Sequence, residues 1–291
     1  MSSAVSIVVM ADGDPNAVLS ALESARRQAE PDRITLAGPL EDPTLKELLA
    51  PHTADYQPLV LANIAPSELR NRAVAEAPGP LVVVVESHER LGEEALTRHV
   101  SALANDTSLV GSYGRTAIHE HEKVRVRPEN GKGGEVYRRL LKERYLISSS
   151  ACLVWRKAAL TEPAYGDYTT PAALRMDLTL RLSRLGDFVF HPSVVAERLG
   201  EPTEMPDLEE MVRVFVGIVF GPESLDERVE QRARFRLARH LVAIGKHHYR
   251  SEDYRRAGKF FDEAVKAAPS YFRGRRYQFL NFVKNTLSRT N

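Results

Sequence analysis

The chain has 291 residues, of which 43% are hydrophobic and 27% charged, a balance that excludes a disordered chain. Its formal net charge of +1 gives no global case for a nucleic-acid binder. A lone cysteine, Cys152, excludes an internal disulfide and a cysteine zinc cluster, and no apolar run is long enough to span a membrane, so a cytoplasmic protein is expected.

In chain order, the apolar run Val5–Met10 meets the turn cluster Asp12-Gly13-Asp14 with no basic segment before it. That predicts a buried first strand and not a signal peptide. Residues 15–29 carry Val18, Leu19, Leu22 and Ala25 at helical spacing. A short strand is predicted over 34–37, a short helix over 45–49 opened by Asp42-Pro43-Thr44, and a third strand over 59–61. A helix over 67–77 precedes Leu81–Val85, a purely aliphatic run that suits a central parallel strand. A helix over 93–104 follows. Strands alternating with helices argue for an open α/β sheet.

The middle is less regular. Strands are predicted over 109–113 and Lys123–Arg127, a flexible Gly-rich loop over 130–134, and a helix over 136–144. Residues 148–155 read as mixed, with Cys152 as a core thiol. A Leu-striped helix over 172–185 leads to a short strand over 188–191 that His191 ends. Residues 200–206 read as a linker, and beyond it helices are predicted over 228–249, 252–268 and 271–287. Charge divides the same way. Residues 223–291 hold 16 Lys+Arg and eight Asp+Glu, a net of +8, while residues 1–222 hold 24 and 31, a net of −7. Two units are therefore expected, 1–204 and 205–291.

Within the first unit, six segments follow one another in a telling order. They are Ala21-Leu22-Glu23-Ser24, Glu41-Asp42-Pro43-Thr44, the Arg70-Asn71 helix at 67–73, the strand and loop at 79–91, the segment at 148–160, and Met176-Asp177 with its helix through 182. Their order and spacing resemble the family 2 inverting glycosyltransferases of the GT-A fold. The resemblance implies an α/β fold, an open and mostly parallel sheet flanked by helices, followed here by a small all-α extension. It also implies transfer of a sugar, with inversion, from a nucleotide-diphosphate sugar to a hydroxyl of a carbohydrate or small-molecule acceptor.

The same resemblance assigns roles. Asp177 aligns with the base that deprotonates the acceptor. Asp12, Arg70, Glu86 and Ser87 fall at donor-binding positions. Glu86 and His88, one residue apart after a strand, can face one side, and with His191 they form a candidate Mn²⁺ or Mg²⁺ site. Several family positions are altered: Met10-Ala11-Asp12-Gly13 replaces Pro-x-Tyr-Asn, Ala37-Gly38-Pro39-Leu40 replaces Asp-Asp-Gly-Ser, Glu86-Ser87-His88 replaces Asp-x-Asp, and Met176-Asp177 replaces Glu-Asp. A catalytically inactive scaffold is therefore the alternative, and a nucleotidyltransferase a weaker third.

Plainer readings stand beside these. Glu86, His88 and Glu89 also suit a solvated polar loop, Asp12 a turn, Arg70 a surface salt bridge with Glu68, and Asp177 an exposed helix carboxylate. Arg125, Arg127 and Lys132 suit either a basic loop closing over a diphosphate or an ordinary surface loop. His119 and His121 read as surface histidines.

The basic tail resembles one tetratricopeptide unit at Gly245, Tyr249, Asp253-Tyr254, Ala257, Phe261, Ala264 and Pro269. One unit builds no solenoid. Its Tyr249, Tyr254, Phe260, Tyr271, Phe272, Tyr277 and Phe279 read as a core inside a basic shell. The other reading is a basic aromatic surface for an anionic membrane, an acidic partner or a homodimer. No nucleic-acid partner is expected.

Overall fold

The computed structural model describes residues 4–120, 122–143, 146–160, 163–199, 205–221 and 225–287. The chain divides into two compact units, Met1–Glu201 and Pro202–Asn291. The expected linker falls mostly on residues 200–204, which lie outside the described residues, as do His121 and residue 144 of the predicted middle helix.

The first unit is built on one sheet. Its parallel half comprises β1 (Val5–Met10), β2 (Ile34–Gly38), β3 (Gln57–Val60) and β4 (Leu81–Val85), in the spatial order β3-β2-β1-β4. β1 and β4 are buried along their whole length, as β-branched runs covered on both faces must be. The helices between them are α1 (Pro15–Arg26), α2 (Pro43–Leu49) and α3 (Pro66–Glu76), each with a proline in its first turn, where no intrahelical donor is needed. Asp14 caps α1 by accepting from the backbone N–H of Asn16 (3.0 Å) and Ala17 (3.1 Å). Asp42 does the same for α2 through the Leu45 N–H (3.0 Å).

Beyond β4 the sheet is mixed. β5 (Glu89–Leu91), α4 (Ala95–Ala104), β6 (Gly111–Glu120), β7 (Lys123–Arg127), α5 (Tyr137–Lys142), β8 (Leu153–Arg156), α6 (Pro171–Leu185) and β9 (Phe188–Leu199) complete the unit. The sheet continues β4-β8-β6-β9-β5, with β7 paired to β6. β9 is three times the predicted length and runs parallel to β6. Its ladder jumps from the Gly114–His191 pair to Arg115–Val194, skipping Pro192, which has no N–H to donate. Trp155, Tyr113 and Phe188 are almost wholly buried in this half, and so is Cys152, as its apolar setting predicts.

The Gly-rich segment 130–134 is fastened and not free. The Tyr113 hydroxyl donates to the Lys132 carbonyl (2.7 Å), Arg139 donates to the Asn130 carbonyl (2.7 Å), and Gly134 exchanges backbone bonds with Phe188. Arg125 pairs with Glu120 and Arg127 with Glu129.

The second unit is helical: α7 (Met205–Phe220), α8 (Glu227–Arg250), α9 (Tyr254–Ala267) and α10 (Phe272–Leu287). Asp226 and Asp253 cap α8 and α9. Gly245 lets α8 approach the Phe261 ring of α9: an added Cβ would meet that ring at 2.5 Å. Phe261 and Phe215 are fully buried. The aromatic-core expectation fails on α10, where Phe272, Phe279 and Phe282 are exposed.

Candidate functional site

The C-terminal ends of parallel strands in an open α/β sheet border a crevice where ligands bind. Here β1, β2 and β4 end in Asp12-Gly13, Gly38 and Glu86-Ser87-His88. The close approach is visible at two glycines. A Cβ on Gly13 would lie 2.1 Å from Ser87 Oγ, and one on Gly38 would lie 2.9 Å from the Ala11 carbonyl oxygen. Gly38 also has φ +155°, a backbone that suits glycine.

Arg70, from α3, organises this end of the sheet. Its side chain is 0% exposed. Nε donates to Glu86 Oε1 (3.2 Å), Nη2 to Glu86 Oε2 and to Asp12 Oδ2 (2.9 Å), and Nη1 to the Pro66 carbonyl (3.1 Å). Both Glu86 oxygens therefore face one guanidinium in a bidentate pair. Burial alone would lower the Arg70 pKa, but the charge and hydrogen bonds of Glu86, with Asp12 behind them, outweigh it and hold the group charged. Asp12, part exposed, is raised above the usual carboxylate value by burial and by the charge of Glu86, against the lowering effect of Arg70. So Arg70 is no surface partner of Glu68, which pairs with Arg72 instead, and Asp12 is more than a turn residue.

Nor is the loop after β4 solvated. Glu86 is 2% and Glu89 0% exposed. Glu89 Oε1 accepts from the Ser150 N–H (3.0 Å) and Oε2 from the Ala151 N–H (2.9 Å), with Arg175 at 3.9 Å. Tyr165 is buried close by. Its phenol is held protonated, raised well above the usual value by burial and by the charge of Glu86. Glu89, Arg175 and Tyr165 were not singled out as site residues. Arg175 stands two positions before Asp177 in the same helix motif, which is the one signal that pointed toward it.

His88 lies apart from this clamp. It lines a shallow pocket with Ser87, Arg90, His119, Glu197, Arg198 and Leu199. His119, 37% exposed, faces Glu197 across 3.8 Å at this pocket. The expected trio of Glu86, His88 and His191 is not assembled. Among the described residues no three His, Cys, Asp or Glu side chains form a group that could hold a metal ion. The reason is local for two of them. Glu86 is taken by Arg70, and His191, early in the long β9 and not at its end, stands edge-on to His99 (centroids 5.5 Å). Among the described residues, Glu86, His88 and His191 do not fit a divalent cation as a set.

In the His99–His191 contact His99 is fully buried and His191 half-buried. His99 Nδ1 lies 2.8 Å from Ser112 Oγ. Burial, with His191 beside it, lowers the His99 pKa from 6.5 to about 3. His191 is lowered too, by burial and then by Arg98. Between pH 6.5 and about 3 the unfolded chain binds a proton at His99 that the folded chain does not. The contribution of His99 is therefore fully present above pH 6.5 and is lost as the pH falls toward about 3. Denaturant midpoints measured from about pH 7 to pH 5 should fall, and the fall should be shallower in His99→Gln; parallel curves for the two proteins would contradict this.

Asp177 sits on α6 facing the turn at 163–166. Its Oδ2 accepts from the Gly166 N–H and from Arg181 Nη2, both at 2.9 Å. Arg181 also donates to the Pro163 and Ala164 carbonyls. Asn71, beside Arg70, grips the same turn: Nδ2 donates to the Tyr165 carbonyl (3.0 Å) and Oδ1 accepts from the Tyr165 N–H (2.8 Å). Arg70 and Asn71 thus face two halves of one site, the carboxylates after β1 and β4 and the turn that seats Asp177. Asp177 keeps 17% side-chain exposure, and among the described residues its Oδ1 has no hydrogen bond. It is neither freely exposed nor fully engaged.

No protein-family model matches the chain, and no curated protein matches it in sequence. Solved structures do. Residues 1–349 of S. aureus TarS align with a TM-score of 0.65 at 14% identity, covering 99% of this chain and 92% of that one. The same TarS fragment in complex with UDP-GlcNAc gives a TM-score of 0.63 at 14% identity over the same shares. TarS itself gives 0.66 at 15% identity, covering 96% of this chain and 54% of that one. The likeness is one of fold, and it agrees with the GT-A-like architecture that the motif order implies.

Proposed function

We propose that the first unit is a glycosyltransferase that takes a sugar from a nucleotide-diphosphate sugar and passes it, with inversion, to an acceptor hydroxyl. The observation that supports this reading is a shared fold together with a half-engaged carboxylate at Asp177. TarS, of the same fold, is solved with UDP-GlcNAc and with UDP. In this chain Asp177 accepts two hydrogen bonds through Oδ2 and, among the described residues, none through Oδ1, an arrangement that suits a base toward an acceptor hydroxyl.

In this reading the nucleotide lies over the ends of β1, β2 and β4, and Asp177 removes the acceptor proton as the hydroxyl attacks the anomeric carbon. The glycosidic bond to the leaving phosphate breaks on the opposite face. Developing charge on the diphosphate has to be met by cations. Arg70 is enclosed and already bonded to Asp12 and Glu86, so it sets the carboxylates and does not touch the phosphates. The separate pocket that His88 lines also holds Arg90 and Arg198, whose charges suit that task.

A second reading has a specific observation behind it. The Arg70 clamp closes the two carboxylates, Asp12 and Glu86, at the donor end of the sheet. A scaffold without a donor would be built the same way. Thermal shift against UDP, GDP, TDP and CDP, each with Mn²⁺ and with a chelator, separates the two. Ligand at about a hundred times Kd stabilises by about 2.7 kcal/mol. The transferase predicts a raised midpoint with one nucleotide in both buffers. A flat panel sinks it in favour of the scaffold.

A further inference from the structure

α10 packs against its own grain. The side that meets α9 is polar or small. Gly274 is buried against Val265, Gln278 donates to Asp262 (2.8 Å), and Asn281, 5% exposed, donates to the Tyr254 carbonyl (3.0 Å). Tyr277 stacks on Phe261 with ring centroids 5.5 Å apart. The opposite side is apolar and outward: Phe272 is 73% exposed, Phe279 66%, Phe282 68% and Val283 38%. At 3.6 residues per turn, positions 272, 279 and 283 share one stripe, with 282 at its border. Arg275 and Arg276, both exposed, rise from the same side, and Arg273 and Lys284 lie beside it. The helix carries no Asp or Glu.

A helix of a water-soluble unit buries its apolar stripe, so an inverted one has a partner that this chain's own core does not supply. Charge says which. Two copies joined through this face would set four cations against four with no acid on either helix, and like charges across an interface repel. A surface of lipid phosphates over acyl chains matches both features, the flanking Arg and Lys and the aromatic stripe. Among the described residues no helix is long and apolar enough to cross a membrane, so the contact is a surface one. We propose that α10 lies on an anionic lipid surface, with Phe272, Phe279 and Val283 in the headgroup boundary and Arg273, Arg275, Arg276 and Lys284 on the phosphates.

Vesicle co-sedimentation of the full chain tests this. Vesicles of phosphatidylglycerol and phosphatidylcholine at about 1:2 should bind it, and phosphatidylcholine alone should bind it at least tenfold more weakly. The triple change R273Q, R275Q and R276Q should cost about a hundredfold, at about fivefold per charge. Phe272→Ser with Phe279→Ser should cost at least tenfold while the melting temperature holds, because both rings are exposed. Equal binding to both vesicles, no binding to either, or full binding by these variants overturns the proposal. So does a doubled mass in light scattering that the Phe variants abolish, which would assign the face to a second copy.

Discussion

Asp177→Asn should lower turnover about 10²- to 10⁴-fold while nucleotide binding survives. A positioned general base contributes that much to a transfer step, and an amide cannot take the acceptor proton. The isosteric side chain still accepts from the Gly166 N–H through its oxygen, which keeps the 163–166 turn in place. The comparison therefore separates chemistry from folding. Release of nucleoside diphosphate from the sugar nucleotide is the measure of turnover, with calorimetry on the same samples for binding. A variant that turns over within a few-fold of wild type would remove Asp177 from the mechanism. A variant that fails to melt cooperatively would show a structural role and nothing more.

Arg70→Met carries the largest expected loss of stability. It leaves Glu86, 2% exposed, without its cation and Asp12 without its donor. Breaking one partner out of a buried ion pair costs about 3–5 kcal/mol, far above the median for exposed pairs. In a domain of this size that is a fall of roughly 10 °C in melting temperature. Adding Glu86→Gln to Arg70→Met should recover part of it, because the stranded charge is gone. A double-mutant cycle on the two residues gives the coupling directly. Arg70→Met melting with wild type, or no recovery in the double variant, would contradict the clamp. The result also bears on function, since the same guanidinium takes the carboxylate that the sequence offers to a metal.

The parallel half of the sheet was legible because its cues are local. Val5–Met10 and Leu81–Val85 are unbroken aliphatic runs, and Asp14-Pro15 and Asp42-Pro43 start helices by chemistry that stays within four residues. What was missed depends on partners far along the chain. β5 is three residues long and β9 contains Pro192, Glu197 and Arg198, so neither shows a strand period. α7 begins at Met205 and Pro206, inside what composition marks as a linker. The order of motifs singled out Asp12, Arg70, Glu86 and Asp177, but said nothing of their burial. Glu86 reads as a metal ligand until Arg70, sixteen positions earlier, is seen bonded to both its oxygens. Glu89 reads as a loop acid until its two backbone donors appear 61 and 62 positions away. His191 was drawn toward a metal by its expected place at a strand end, and the continuation of β9 moves it to His99.

The central claim is that the crevice at the ends of β1, β2 and β4 is a working donor site whose carboxylates are balanced by Arg70. Calorimetric titration of UDP into the full chain, once with a chelator and once with Mn²⁺, tests it most directly. The account predicts saturable one-site binding of similar affinity in both buffers. Binding only with Mn²⁺ would return Glu86 and His88 to metal coordination, and no heat in either buffer would contradict the donor site itself.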